Sequence, residues 1–189
     1  MLKQLALVFS LHLGILVTAT PNFYSTMKTC PSFKSQSNFN INKIMGEWNL
    51  AMLFIDEPPE EHEDDSSCIK GNFKKINSTT FKQMWYITSS QYGYGAIIDL
   101  PTIITHSGDW TVTDPLGGHL QVKISNAIPD AHMLMTVCGT QHGKSVHLWT
   151  AVVTRKTPIT QIDFLELSAK LMSQGFNIND NKMIMWNKC

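Results

Sequence analysis

Gly46-Glu47-Trp48, preceded by Asn42-Lys43-Ile44-Met45 and followed by Asn49-Leu50-Ala51-Met52-Leu53-Phe54, opens the first long β-like run of the chain. Behind it lies a polar arm, residues 20–39, that carries Cys30-Pro31. A Gly-x-Trp triplet alone recurs by chance. Its weight comes from what stands far downstream. Arg155 ends the last strand-like run, one helical segment follows it, and four cysteines occupy positions 30, 68, 138 and 189.

The runs 47–54, 67–76, 81–89, 95–105, 109–113, 119–125, 131–139 and 145–155 are rich in Val, Ile, Thr, Phe, Trp and Tyr, residues that suit a pleated, half-buried surface. Turn material separates them: Asn77-Ser78, Ser107-Gly108, Pro115 with Gly117-Gly118, Pro129-Asp130 and His142-Gly143. Eight such runs at short spacing predict an antiparallel sandwich or barrel. The tail changes character. Thr157-Pro158 or Thr160 caps a helix, and Asp163 completes a Thr-x-x-Asp start. Ile162, Leu165, Ala169 and Met172 fall on one helical face, which is expected to pack on the β structure, and Gly175 ends the helix. Residues 176–189 continue as an extended tail, in which 183–186 can add a short strand. One helix after an eighth strand suits an all-β, eight-stranded up-and-down barrel with the helix outside, rather than an immunoglobulin-like sandwich. A barrel of that size holds side chains or one small ligand.

The first residues set the expected compartment. Met1-Leu2-Lys3 is a short basic start, residues 5–17 are mostly apolar with His12 as the polar interruption, and Thr18-Ala19 offers small residues for cleavage. This predicts a signal peptide over 1–19 and a single domain over 20–189. The rival reading, a membrane anchor, needs about 20 apolar residues, more than this run has. With no later span, a secreted, extracellular protein without a transmembrane segment is expected. About 170 residues remain after the leader, enough for one sizeable core. Lys+Arg and Asp+Glu are both 15, which argues against a nucleic-acid binder, since that would carry a basic excess. Four cysteines in an oxidising compartment imply two disulfides, in one of three pairings. Asn77-Ser78-Thr79 is a glycosylation sequon.

On these residues the chain resembles the lipocalins, small barrels that hold an apolar molecule, and most of all their apolipoprotein D and insect bilin-binding (insecticyanin-like) branch. The matching positions are Cys30-Pro31, Asn38-Phe39-Asn40 with Lys43, Gly46-Glu47-Trp48, Cys68, Cys138, Thr154-Arg155-Lys156-Thr157-Pro158, the helix and Cys189. The resemblance implies that Gly46, Trp48 and Arg155 form the closed barrel floor, with the guanidinium lying across the indole. It also implies the pairings Cys30–Cys138 and Cys68–Cys189, which leave no free thiol. The chain departs from the family pattern at 127–130, where Ala-Ile-Pro-Asp replaces a Thr-Asp-Tyr-like turn, and at Asn49, where an aromatic is common. Neither departure touches the fold; both weaken transfer of any particular ligand.

Strand alternation then predicts which side chains face the interior. From an inward Trp48 follow Leu50, Met52 and Phe54; from Arg155 follow Val153, Ala151, Trp149 and His147. Outward Lys70 and Lys74 leave Ile69, Gly71 and Phe73 inside. Outward Lys82 leaves Phe81, Gln83, Trp85 and Ile87 inside, and outward Lys123 leaves Leu120, Val122 and Ile124. An outward Cys138 leaves Met133, Met135 and Val137. The expected ligand-binding set is Leu50, Met52, Phe54, Phe73, Gln83, Trp85, Ile87, Met133, Met135, His147, Trp149 and Ala151, with Gln83 and His147 as polar contacts. Ten methionines make such a lining adaptable. The alternative is that these side chains fill the barrel.

Asp56, Glu57, Glu60, Glu61, Glu63, Asp64 and Asp65 place seven of the fifteen acidic residues in one run, 56–65, expected as the loop between the first two strands at the open mouth. It reads as a solvated lid, or as recruitment of a cationic ligand or a cation; oxygen ligands without ordered geometry make a poor calcium site. His106, His119, His132 and His142 are scattered and read as surface residues, with haem ligation by one as the alternative. No nucleophile–base pair, paired carboxylate or metal-spaced cluster emerges, so no enzyme, cofactor or metal is expected. Two functions remain. One is a secreted carrier of a small hydrophobic molecule such as a lipid, sterol, retinoid or pigment. The other is an interaction protein with a filled barrel, which binds a protein partner or a cationic small ligand through its acidic mouth.

Overall fold

The computed structural model describes residues 28–32, 34–56, 67–89, 95–176, 182–185 and 189; the leader predicted over 1–19 and residues 57–65 of the acidic run lie outside them. The elements in chain order are β1 (Gly46–Ile55), β2 (Ser67–Lys75), β3 (Thr80–Ser89), β4 (Gly95–His106), β5 (Asp109–Thr113), β6 (His119–Ile128), β7 (His132–Gln141), β8 (Lys144–Thr154), α1 (Gln161–Ser173) and β9 (Lys182–Met185). Each strand pairs antiparallel with the next from β2 to β8; β8 returns to β1, and β1 pairs with β2, which closes the barrel. Closure removes the exposed edges that an open sheet would offer for aggregation. The β2–β3, β4–β5 and β6–β7 turns lie at one end with the start of β1 and the end of β8. The ends of β1, β3, β5 and β7 lie at the other end, the mouth.

The seam between β1 and β2 is divided. Gly46, Glu47, Trp48 and Asn49 pair with β2, whereas Met52, Leu53, Phe54 and Ile55 pair with β9. Cys189, beyond β9, is bonded to Cys68 of β2, so the tail is fastened across the mouth half of the seam. The second disulfide, Cys30–Cys138, holds the arm to β7, and Cys30 N–H also donates to the Ser145 carbonyl at 3.1 Å. Both pairings are those the resemblance implies.

Two apolar cores result. The interior core includes Trp48, Leu50, Leu53, Phe73, Phe81, Trp110, Met133 and Met135. The second lies on the outer wall, where Met52, Phe54, Leu134 and Val152 pack with Leu167, Leu171 and Phe176. This corrects the parity expected for β1 and β8. Met52 and Phe54 face outward because the register shifts between Leu50 and Met52, with Ala51 as the extra residue. His147 faces outward because β8 carries an extra residue, Leu148, opposite the step from Val137 to Cys138. One bulge moves every later side chain to the other face.

The helix begins as expected: Thr160 Oγ1 accepts from Asp163 N–H at 3.1 Å. Its buried face is not the expected one. Leu167, Ser168 and Leu171 meet the barrel, while Ile162, Leu165 and Met172 are 77%, 60% and 56% exposed. The helix end supplies the reason. Gly175 takes φ +88°, Phe176 N–H donates to the Leu171 carbonyl and Gly175 N–H to that of Met172. This termination pairs the residue after the glycine with the one five before it in an apolar contact. Phe176 therefore aligns Leu171, not Met172, with the wall. His132 is a further correction. It is buried rather than at the surface, and burial pulls its pKa below the ordinary imidazole value, against the opposing pull of Glu166 and Asp163.

Candidate ligand-binding site

The closed end is built around Trp48, which is fully buried. The turn Ile41–Ile44 passes beneath it, and the indole Nε1–H donates to the Ile44 carbonyl at 2.8 Å. The Arg155 guanidinium lies over the indole, 3.7 Å from the ring centroid, a cation–π contact worth about 0.5–2 kcal/mol. Its nitrogens also donate to the carbonyls of Pro129 at 2.9 Å, Glu47 at 2.5 Å, Lys43 at 3.0 Å and Met45 at 3.0 Å. One side chain thus joins the turn before β1, β1 itself and the β6–β7 turn. Burial pulls the guanidinium pKa down and Asp130 pushes it back up, for a net lowering.

Above Trp48 the lower barrel is filled by rings. Phe73 stands 5.5 Å from Phe81, 5.8 Å from Trp85 and 6.4 Å from both Trp48 and Trp110. Phe81 and Trp110 meet edge-on at 5.0 Å. These tilted and edge-on arrangements are the favoured ones for aromatic pairs.

The upper half holds a small chamber, about 40 Å³. Leu50, Gln83, Trp85, Met135, Trp149 and Ala151 of the expected set stand on its wall. Phe73, Ile87 and Met133 belong to the interior core but not to the wall. Met52, Phe54 and His147 are outside the barrel altogether. The wall is completed by Leu53, Ile69, Leu100, Val112, Leu120, Val122 and Val137. Of these, Leu53 was hidden by the Ala51 bulge. Leu100 and Val112 were legible from β4 and β5, where Asp99 and Pro101 flank Leu100 on the exposed face and Thr111 precedes Val112.

A chain of hydrogen bonds crosses the wall. Trp85 Nε1 donates to Gln83 Oε1 at 3.2 Å, Gln83 Nε2 donates to Thr102 Oγ1 at 3.0 Å, and Thr102 donates to the Leu100 carbonyl at 3.1 Å. Gly71 makes room for this arrangement: a β-carbon there would sit 2.8 Å from the Trp85 ring.

A second polar cluster lies outside, near the mouth. His147 bonds Asp56 through Nδ1 at 3.1 Å and Thr150 through Nε2 at 3.0 Å; Thr150 in turn bonds Thr136 at 3.0 Å. Burial alone would raise the Asp56 pKa, but the bond and charge of His147, with Lys28 at 3.8 Å, hold it below the ordinary carboxylate value. The order Asp–His–hydroxyl is that of an activated nucleophile. Thr150 and Thr136 are fully buried, however, and bonded to each other, so no substrate reaches the hydroxyl. The cluster fastens the end of β1 to β8. Among the described residues no group of His, Cys, Asp and Glu is placed to hold a metal ion.

No family model and no curated protein matches the sequence. Among solved structures the chain is similar to apocrustacyanin C2, a lipocalin, with a TM-score of 0.63 and 9% sequence identity over 90% of this chain and 94% of that one. At that identity the likeness concerns architecture. The strand order, the closed floor and the helix against the outer wall together give this chain the lipocalin fold.

Proposed function

We propose that the protein is a secreted carrier of one small hydrophobic molecule, held in the upper half of the barrel. The observation that carries this reading is the contrast between the two halves. Aromatic rings pack the floor, while the chamber above is walled by aliphatic side chains, Met135, two tryptophans and one amide. Binding draws on the apolar area removed from water, at about 25 cal/mol per Å² before the costs of ordering the ligand. The apolipoprotein D and bilin-binding branch is proposed on the sequence anchors alone. Secretion is supported by the two disulfides, which persist in oxidising compartments. Asn77 is proposed as a glycan site. It is exposed in the β2–β3 turn, at the closed end, where a glycan leaves the mouth clear.

The apolar wall supports the carrier, whereas the small volume of the chamber, about 40 Å³, supports the second reading, an interaction protein with a filled barrel. Protein secreted from eukaryotic cells and sprayed natively is expected to carry one small molecule per chain, released on denaturation, and a glycan mass lost in Asn77→Gln. A ligand-free mass, together with failure to take up any neutral apolar probe, would sink the carrier reading.

A further inference from the structure

We infer that the cavity selects an uncharged ligand whose buried end carries an oxygen able to accept a hydrogen bond, such as a ketone, an ester or an alcohol, and that Gln83 reads it. The inference rests on the carrier reading above. Gln83 is 2% exposed and is the one amide on the wall among the described residues. Its orientation is set from both ends. An indole N–H only donates, so the atom facing Trp85 is the carbonyl oxygen. The Thr102 hydroxyl hydrogen is spent on the Leu100 carbonyl, so Thr102 accepts from the Gln83 amide nitrogen. This accounts for one of the two hydrogens on that nitrogen. The second has no partner in this network, and a buried N–H left unmade is costlier than an underused carbonyl. A ligand oxygen would satisfy it; an alcohol O–H would also donate a hydrogen bond to Gln83 Oε1.

Depth and charge sharpen the class. Gln83 is cross-strand partner to Phe73, a member of the ring cluster, so it stands at the bottom of the chamber. The preferred ligand therefore enters oxygen-first. A carboxylate or ammonium carried to that depth would lose its water with no counter-charge, because no charged side chain lines the wall among the described residues. A fatty acid would instead leave its head at the mouth and gain nothing from Gln83.

The test is displacement of a neutral fluorescent probe, N-phenyl-1-naphthylamine, at neutral pH by a matched series of one chain length: alkane, methyl ketone, alcohol and carboxylate. The ketone and alcohol are expected to bind about 5–10-fold tighter than the alkane, and the carboxylate no tighter than the alkane. Gln83→Leu should abolish the difference between ketone and alkane affinities, both measured in that variant. Equal affinities across the series, or a carboxylate that binds tightest, would overturn the inference and leave the carrier intact. If neither the probe nor any member binds, the carrier reading itself falls. The wild-type series decides the matter even if Gln83→Leu fails to fold.

Discussion

Trp48→Ala lowers the free energy of unfolding by about 3–5 kcal/mol, the range for truncating a large buried aromatic. The substitution empties the space between the turn Ile41–Ile44 and Phe73, 6.4 Å away. It also removes the surface beneath the Arg155 guanidinium and leaves the Ile44 carbonyl without its donor. Against a total of about 5–15 kcal/mol for an ordinary domain, this is a large fraction. For a chain of this size the melting temperature should fall by about 2–4 °C per kcal/mol. Trp48→Phe is the control: it keeps much of the volume but loses the Nε1–H bond, and should lose less. Urea denaturation of the three proteins checks the order. A loss below about 1 kcal/mol in Trp48→Ala would show that the floor is not where the fold is secured.

Cys68→Ala combined with Cys189→Ala is expected to cost about 2–5 kcal/mol, the usual range for loss of a native disulfide in a small secreted domain. The bond closes a separation of 121 residues. The effect should also be local. The β9 strand contributes four register partners to β1, and Cys189 is what fastens the chain after it to β2. Amide exchange should therefore quicken at the alternate amides of Met52–Ile55 that bond β9, while those that bond β8, and the Trp48–Asn49 segment paired with β2, stay protected. Unchanged protection across the upper half of β1 would mean that the tail holds its place without the disulfide.

Element order was legible because each strand is rich in branched and aromatic residues and each turn has its own chemistry. Facing was legible where one side meets water. In β3 and β6, Lys82 and Lys123 mark the outer face, and Gln83, Trp85 and Val122 face inward. It was not legible from Leu50 to Ile55. All six residues there are buried, since α1 and β9 cover the outer wall, so alternation leaves no mark and the Ala51 bulge is silent. The same holds for β8, where His147 is as buried outside as Val153 is inside. The helix is a different case. It carries two apolar stripes, so periodicity could not choose between them, but Gly175 followed by Phe176 contained the information needed to choose Leu171. The disulfide pairing could not be deduced from spacing and came from the family resemblance.

The central claim is that an apolar molecule occupies the upper half of the barrel. Trp85 and Trp149 stand on that wall, and Ala151 is small enough that a larger side chain there would take up the space. The most direct measurement is tryptophan quenching by a neutral polyene, in the wild type and in Ala151→Phe, with both proteins first shown to melt cooperatively. Saturable quenching at one molecule per chain in the wild type, weakened at least about tenfold in the variant, a difference of about 1.4 kcal/mol, is the predicted result. Quenching of equal strength in both proteins would place the ligand elsewhere, and no saturable quenching in the wild type would contradict the account.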